Sequence, residues 1–510
     1  MPELAVPDSP NLRDGVRFVR ELERRLERFD RAILEADWDL FSGRSSKGSE
    51  PWQLARGRLL SNGEILSWVR RARTVPWPAL FARRLELLER VLVDARVEQH
   101  PEVVRRRAAL QRAIVVFRPR WNGRRVERSE IYRVVETDPD PERRRRAAYA
   151  LEPLYRPLED RLRGLVRLRN ELARREGFPS FAAMRLGFEG VSVARLKELA
   201  RAAVAPTRRV ARWLRDRAVD RLGTWHPWDL SFALGQAAPL TDRAFPRTGI
   251  LPTVFRAIRG WAFPVDRYRF RLAFHDIPMG GLTLAPNPPR DVRILVHPQG
   301  GWQAYRVMFH EVGHAVHSAA IRAPRHLLRW HENYPSFGGL HEGIGGFFEE
   351  IPRDPRWLAD RPGVSRSAAE SFAEVRRNTD LFGAARVATW MHTELALYER
   401  PDRDPQPEVT RLERRLFGYD DFEPLSFVDS FFVDSPVYAP NYLLADLFHY
   451  QLAARIRELF GAPLWPNRRV GPWLTREWFR HGSRFDWLPR IEEVSGRPFG
   501  AEAFAEAFRS

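Results

Sequence analysis

Residues 310–314 read H-E-V-G-H. Two histidines four apart on a helix project from one face, so both imidazoles can share one tetrahedral ion. The glutamate after the first histidine can then reach a water on that ion. Composition alone predicts about 0.04 such matches in a chain of this length, so chance does not account for the motif. At ~100° per residue, His310, His314 and His317 form one stripe of the helix, opposite Met308, Val312, Ala315, Val316 and Ala319. One face therefore packs in a core and the other is free for a metal. Zinc bound there would lower the pKa of its water toward ~7 and polarise a carbonyl, with Glu311 taking the proton and passing it to a leaving amine.

A third ligand is required. Glu332 is near, but it sits in the turn-like W-H-E-N-Y-P. Glu342 is better placed, in L-H-E-G-I-G-G-F-F-E-E-I. There Leu340, Ile344, Phe347, Phe348 and Ile351 make a core stripe, and Glu342, Gly346 and Glu349 share the opposite one. A glycine at 346 would let this helix approach the first closely. Glu349 and His317 are expected behind the ligands, Glu349 by hydrogen bonding a ligand histidine. Hydrolysis of an amide also needs a donor aimed at the developing oxyanion. In P-V-Y-A-P-N-Y, Tyr438 and Tyr442 are candidates, with Pro440 and Asn441 marking a loop-to-helix transition. Two tyrosines at a helix start also serve as packing residues, and the residues alone leave both roles open.

The elements that must carry these groups are mostly helical. Residues 13–40 have helical spacing in Val16, Val19, Leu22, Leu26, Phe29, Ile33 and Leu34. Similar patterns fill 53–72, 76–99, 101–116, 140–176 and 192–222. Tyr268, Phe270, Leu272 and Phe274 alternate with arginines as in a half-buried strand, as do Val292, Ile294 and Val296, with P-M-G-G at 278–281 as the turn between them. A Pro-rich segment at 224–252 suggests a junction between an N-terminal helical half, 1–223, and a C-terminal catalytic half, 224–510, of one continuous domain. The expected fold class is mainly α with a small β-sheet.

Composition narrows the function further. The chain has 510 residues and no cysteine, which excludes disulfides, thiolate zinc sites, cysteine nucleophiles and Fe–S clusters. The formal charge is +18, yet Lys47 and Lys197 are the only lysines. A nucleic-acid binder has no reason to shun lysine, and neither DNA- nor RNA-reading motifs are present. The run Arg143–Arg146 reads as a solvated helix face. No signal peptide and no apolar run long enough to span a membrane is evident, so the expected location is the cytoplasm.

Together these segments resemble the gluzincin peptidases that include the thimet oligopeptidase/oligoendopeptidase F and angiotensin-converting-enzyme families, with the carboxypeptidase Taq family more distant. HEVGHAVH is similar to the oligopeptidase form H-E-x-G-H-x-x-H, carried here by His310, Glu311, Gly313, His314 and His317. L-H-E-G-I-G resembles the converting enzymes' H-E-A-I-G and so points to Glu342 as third ligand, and Glu349 matches a second glutamate of the oligopeptidase and Taq families. Y-A-P-N-Y resembles the tyrosine-bearing substrate segment, which implies roles for Tyr438 and Tyr442. Weaker echoes are E-A-D-W-D-L near Trp38, R-N-E-L-A-R-R-E-G-F at 169–178 and P-W-D-L at 227–230.

The resemblance implies a helical molecule with a deep channel, zinc on its floor, and an edge strand holding the peptide backbone, here Gly280 to Leu284. Three features depart from the converting enzymes. Gly346 replaces an aspartate, no histidine lies in Phe431–Ser435, and the lysine that reads a substrate C-terminus has no counterpart. His317 favours the oligopeptidases over the Taq carboxypeptidases, which carry tyrosine there. The expected function is a metallopeptidase with one zinc per chain, acting on oligopeptides and not on nucleic acid or membranes. Internal cleavage is favoured over carboxypeptidase or peptidyl-dipeptidase action. The alternative of another class is a metal- or peptide-binding protein that has lost turnover.

Overall fold

The computed structural model describes residues 4–508 apart from 9, 11, 237–239, 241, 278–279, 299 and 330–334. The first helix, α1 (Leu12–Phe41), buries Val19, Leu22, Leu26 and Ile33, one stripe of the predicted pattern. The pattern over 53–72 is divided into Glu50–Leu60 and Gly63–Arg73, because the Asn62 side chain accepts the N–H groups of Glu64 and Ile65 and starts a new helix. The next long helix, α2, runs over Ala79–Glu98. The stretch 140–176 is divided too, into Pro141–Tyr149, Glu152–Tyr155 and Glu159–Arg175. Pro153 and Pro157 lack the amide hydrogen that a continuous helix would need there. Beyond it lies α3 (Phe181–Glu189).

The Arg143–Arg146 run departs from the expected solvated face. Arg145 and Arg146 are exposed, but Arg144 is 0% exposed, its Nε and Nη2 donating to Asp229 Oδ1 at 3.1 and 2.6 Å. A charge this deep is tolerable only when paired, and Asp229, in the P-W-D-L segment, supplies the partner.

The sheet has three strands rather than two: β1 (Phe270–Phe274), β2 (Gly281–Asn287) and β3 (Asp291–Val296). Their order is β1-β3-β2, with β1 parallel and β2 antiparallel to β3. Of the expected turn at 278–281, residues 278–279 lie outside the described set and Gly281 opens β2. β2 has no polar alternation, since both its faces are covered, so periodicity does not reveal it. It is the edge strand anticipated at Gly280–Leu284. Trp38 and Leu34 of α1 pack with Leu284 and Leu295 and seat the sheet against the N-terminal helix.

Four helices complete the frame: α4 (Gly301–Ala320), α5 (Gly338–Phe348), α6 (Arg366–Glu399) and α7 (Ala439–Phe460). Leu340, Ile344, Phe347 and Phe348 of α5 are buried as the spacing predicts. One hydrophobic cluster takes in residues from Phe18 to Phe508 and wraps α4, α5 and α7 on most sides.

Candidate active site

A cavity of about 1240 Å³ lies between the N-terminal helices and the segment from β2 to α7. Its walls include Asp37, Asp94 and Arg185 on one side and Gly280–Thr283, His310, Glu311, His314 and Glu342 on the other. Helix α4 carries the H-E-V-G-H residues and α5 brings Glu342 to them. One donor atom from each of His310, His314 and Glu342 lies within 4.8 Å of the others, the sole His/Asp/Glu grouping of that kind among the described residues. The His310 and His314 rings are 4.6 Å apart and nearly perpendicular. Two imidazoles and a carboxylate at this spacing fit one divalent ion with zinc's ligand preferences.

The close approach of α5 to α4 depends on Gly345, not on the expected Gly346. A Cβ on Gly345 would stand 2.5–2.7 Å from three atoms of the His310 ring, whereas one on Gly346 would face His449 of α7 at 3.1 Å. Five of the eleven α5 residues are glycine, a poor helix composition that lets the element pass between α4 and α7.

Glu349 sits directly behind His310. Its Oε1 accepts from His310 Nδ1 at 2.9 Å, which leaves Nε2 directed toward Glu342 Oε2 at 3.4 Å. Arg306 Nη1 donates to both Glu349 oxygens at 2.8 Å and Arg353 Nη2 donates to Oε2 at 2.7 Å. Burial raises the pKa of Glu349, but the two guanidiniums and His310 outweigh it and hold the carboxyl well below its usual range. Burial disfavours the charged form of His310, yet its bonds to Glu342 and Glu349 prevail and push it up to about 10. His314 is kept neutral by burial and by the neighbouring histidines. His341 stacks on it at 3.6 Å.

Glu311 is pushed up to about 7, first by burial, against the charge of His310 and the hydroxyl of Thr283. Thr283 Oγ1, from β2, lies 2.7 Å from Glu311 Oε2 and 2.9 Å from its backbone oxygen. The two tyrosines are not equivalent. Tyr438 donates its hydroxyl to Glu342 Oε1 at 2.8 Å. Tyr442 lines the cavity 5.6 Å from the Tyr438 ring and stacks near Trp390, and among the described residues its hydroxyl has no hydrogen-bond partner. Burial raises both phenols, as do nearby carboxylates, so both remain protonated donors. His317 does not line the cavity; it is buried with its ring 5.0 Å from Phe479, and its proximity adds to the effects that lower the pKa of His314. Glu332 falls outside the described residues.

Thr283, Arg306, Arg353 and His341 are absent from the sequence reading. Arg306 had a usable signal, standing four residues before His310 on the same helix face. Thr283 and Arg353 had none, because strand β2 and the short helix Glu350–Arg353 meet Glu311 and Glu349 only in three dimensions.

No family model matches the sequence, and no curated protein matches it. Solved structures do match. Metallocarboxypeptidase 1 of Trypanosoma cruzi shares 17% identity, with a TM-score of 0.67 over 96% of this chain and 99% of that one. The M32 carboxypeptidase of Deinococcus radiodurans shares 16%, with 0.68 over 97% and 98%. PZ peptidase A with an inhibitor shares 15%, with 0.71 over 98% and 92%. The chain has their fold. The fold is mainly α, and the solved structures that share it include carboxypeptidases and one described as an oligoendopeptidase F. No helix among the described residues is long and apolar enough to cross a membrane.

Proposed function

We propose that the chain is a zinc-dependent peptidase that hydrolyses peptide bonds of short oligopeptides inside the cavity. The observation that carries this reading is the convergence of His310, His314 and Glu342 donor atoms within 4.8 Å, beside the buried carboxyl of Glu311. When bound, zinc supplies Lewis-acid polarisation of a carbonyl and brings the pKa of water toward neutrality. Glu349 keeps the His310 proton on Nδ1, so Nε2 serves as the ligand atom. Glu311 takes the proton of the attacking water and delivers it to the leaving amine, with Thr283 steadying Oε2. Tyr438 orients Glu342 through its hydroxyl, and Tyr442, whose hydroxyl is uncommitted, donates to the oxyanion. The edge of β2 borders the cavity at Gly281–Thr283 and offers backbone groups to an extended peptide. Residues from both 1–223 and 224–510 line the cavity, which supports the two-half division with the substrate between them.

Metal analysis combined with mass spectrometry of a mixed pool of peptides of about 5–20 residues tests the proposal. One zinc per chain and chelator-sensitive cuts are expected, and Glu311→Gln should retain zinc while turnover falls by at least about 10³-fold. Zinc bound without any cleavage would instead support a binding protein that has lost turnover. Activity retained in Glu311→Gln would overturn the proposed mechanism.

A second reading, trimming from the C-terminus, is favoured by Arg376. Its guanidinium lines the cavity, stacks over Trp302 and Phe372 at 5.1 and 5.0 Å, and makes no ion pair among the described residues. It is a candidate receptor for a substrate carboxylate in place of the missing lysine.

A further inference from the structure

The segment that delivers the two tyrosines is held in a conformation it would not adopt unaided. Val437, immediately before Tyr438, has φ +57°, one of three non-glycine residues with positive φ among those described. For a β-branched side chain this left-handed backbone is a true outlier, and such strain persists only where the surroundings impose it. The Val437 amide donates to Glu394 Oε1 at 2.6 Å. Glu394 lies on α6 and is 1% exposed, and its Oε2 has no hydrogen-bond partner among the described residues, so Val437 is the group this carboxyl serves.

The same segment is gripped from its other side. Arg169, fully buried, donates from Nη1 to the Phe432 carbonyl and from Nη2 to the Val433 carbonyl, each at 3.0 Å, while its Nε is fixed by Glu98 at 2.8 Å. Asn170 beside it donates to the Tyr398 carbonyl of α6 at 2.8 Å. The R-N pair of the segment at 169–178 thus has a function that the zinc site does not absorb.

We infer that Glu394 is a positioning residue which, with Arg169 as the opposing arm, clamps residues 432–437 so that Tyr438 reaches Glu342 and Tyr442 enters the cavity. The buried Val437 N–H must find an acceptor, and Glu394 provides it only when the backbone is left-handed. Released from that bond, the turn relaxes and the helix start carrying Tyr438 loses its register on Glu342. The inference rests on the proposed role of Tyr438 at the metal ligand.

Hydrogen exchange of the full-length, metal-free chain tests the clamp directly. In Glu394→Leu the peptide containing Val437 should exchange at least about tenfold faster. In Glu394→Gln, which keeps a carbonyl oxygen of the same reach, exchange should be unchanged. Glu394→Asp keeps a carboxyl but is one methylene short, so it should behave like the leucine variant, and it also serves should that variant fail to fold.

Zinc retention against a chelator is the second readout. It should fall about tenfold in Glu394→Leu, and no further in Glu394→Leu/Tyr438→Phe than in Tyr438→Phe alone. Unchanged exchange in both the leucine and aspartate variants, fast exchange with undiminished zinc retention, or additive losses in the double variant would each overturn the clamp. Neither readout uses a peptide substrate. A chain that meets both expectations yet cuts nothing would sink the peptidase reading and leave the clamp standing.

Discussion

Tyr438 and Tyr442 sit four residues apart on one helix start, yet their contacts differ. The Tyr438 hydroxyl is bound to Glu342, so Tyr438→Phe should weaken zinc retention, read by chelator competition, with a smaller loss in kcat. Tyr442→Phe should keep the zinc and lower kcat by about 10²–10³-fold, the range for a lost oxyanion donor. Behind His310, Glu349 balances two guanidiniums. Glu349→Gln leaves the half-buried Arg306 without its carboxylate and Arg353 with Asp380 alone, and the loss of stability in thermal or denaturant unfolding should be about 1–3 kcal/mol. At this scale the sequence was informative wherever the chemistry runs along one helix. His310, Glu311 and His314 follow from spacing, and Glu342 and Glu349 from a second periodic stripe. It was silent on Thr283 and Arg353, whose partners lie on other elements, and it could not divide the tyrosines, because the division depends on a hydrogen bond to another helix.

Helix α5 shows what an element must sacrifice to position a candidate ligand. Its glycines forgo roughly 0.8–1 kcal/mol each relative to alanine in helix propensity. In return the backbone passes close enough to α4 to set Glu342 beside His310. Gly345→Ala should therefore be costly despite the better propensity, because the new Cβ would meet the His310 ring at 2.5 Å. Overpacking of this kind costs about 1–3 kcal/mol. The expected outcome is a folded protein, by circular dichroism, with zinc affinity reduced at least tenfold. The periodicity that located α5 could not tell Gly345 from Gly346, since both are glycine and the choice depends on how the helix is rotated against α4. The same limit applies to the sheet. Alternation located β1 and β3, whereas β2, covered on both faces, carries no period-two signal.

For the whole molecule, the decisive feature is a cavity whose walls come from both ends of the chain. A volume near 1240 Å³ accommodates an extended peptide and not a folded domain, so intact globular proteins should resist cleavage in the same assay. Arg376 gives the cleavage mode a direct test. If it binds a terminal carboxylate, C-terminal amidation should raise KM by about 10–100-fold in the wild type and have little effect in Arg376→Met. Equal cleavage of amidated and free peptides by the wild type would favour internal cutting. The charge of +18 is also better understood at this scale. Arg144, Arg169 and Arg353 are internal, each paired with a carboxylate, so part of the arginine excess serves the interior rather than a polyanion-binding face.

What the sequence determined by itself was the candidate chemistry and the class of fold. A helix period brings His310, Glu311 and His314 to one face whatever surrounds them, and the absence of cysteine leaves only histidine and carboxylate to hold a metal. The tertiary structure decided how those groups are tuned: which glycine admits the ligand helix, which tyrosine stays free, which guanidiniums hold Glu349 and what holds Val437 in its left-handed turn. Each of these depends on contacts between segments far apart in the chain. Such contacts follow from the packing of the helices, and periodicity along any one segment carries no information about them.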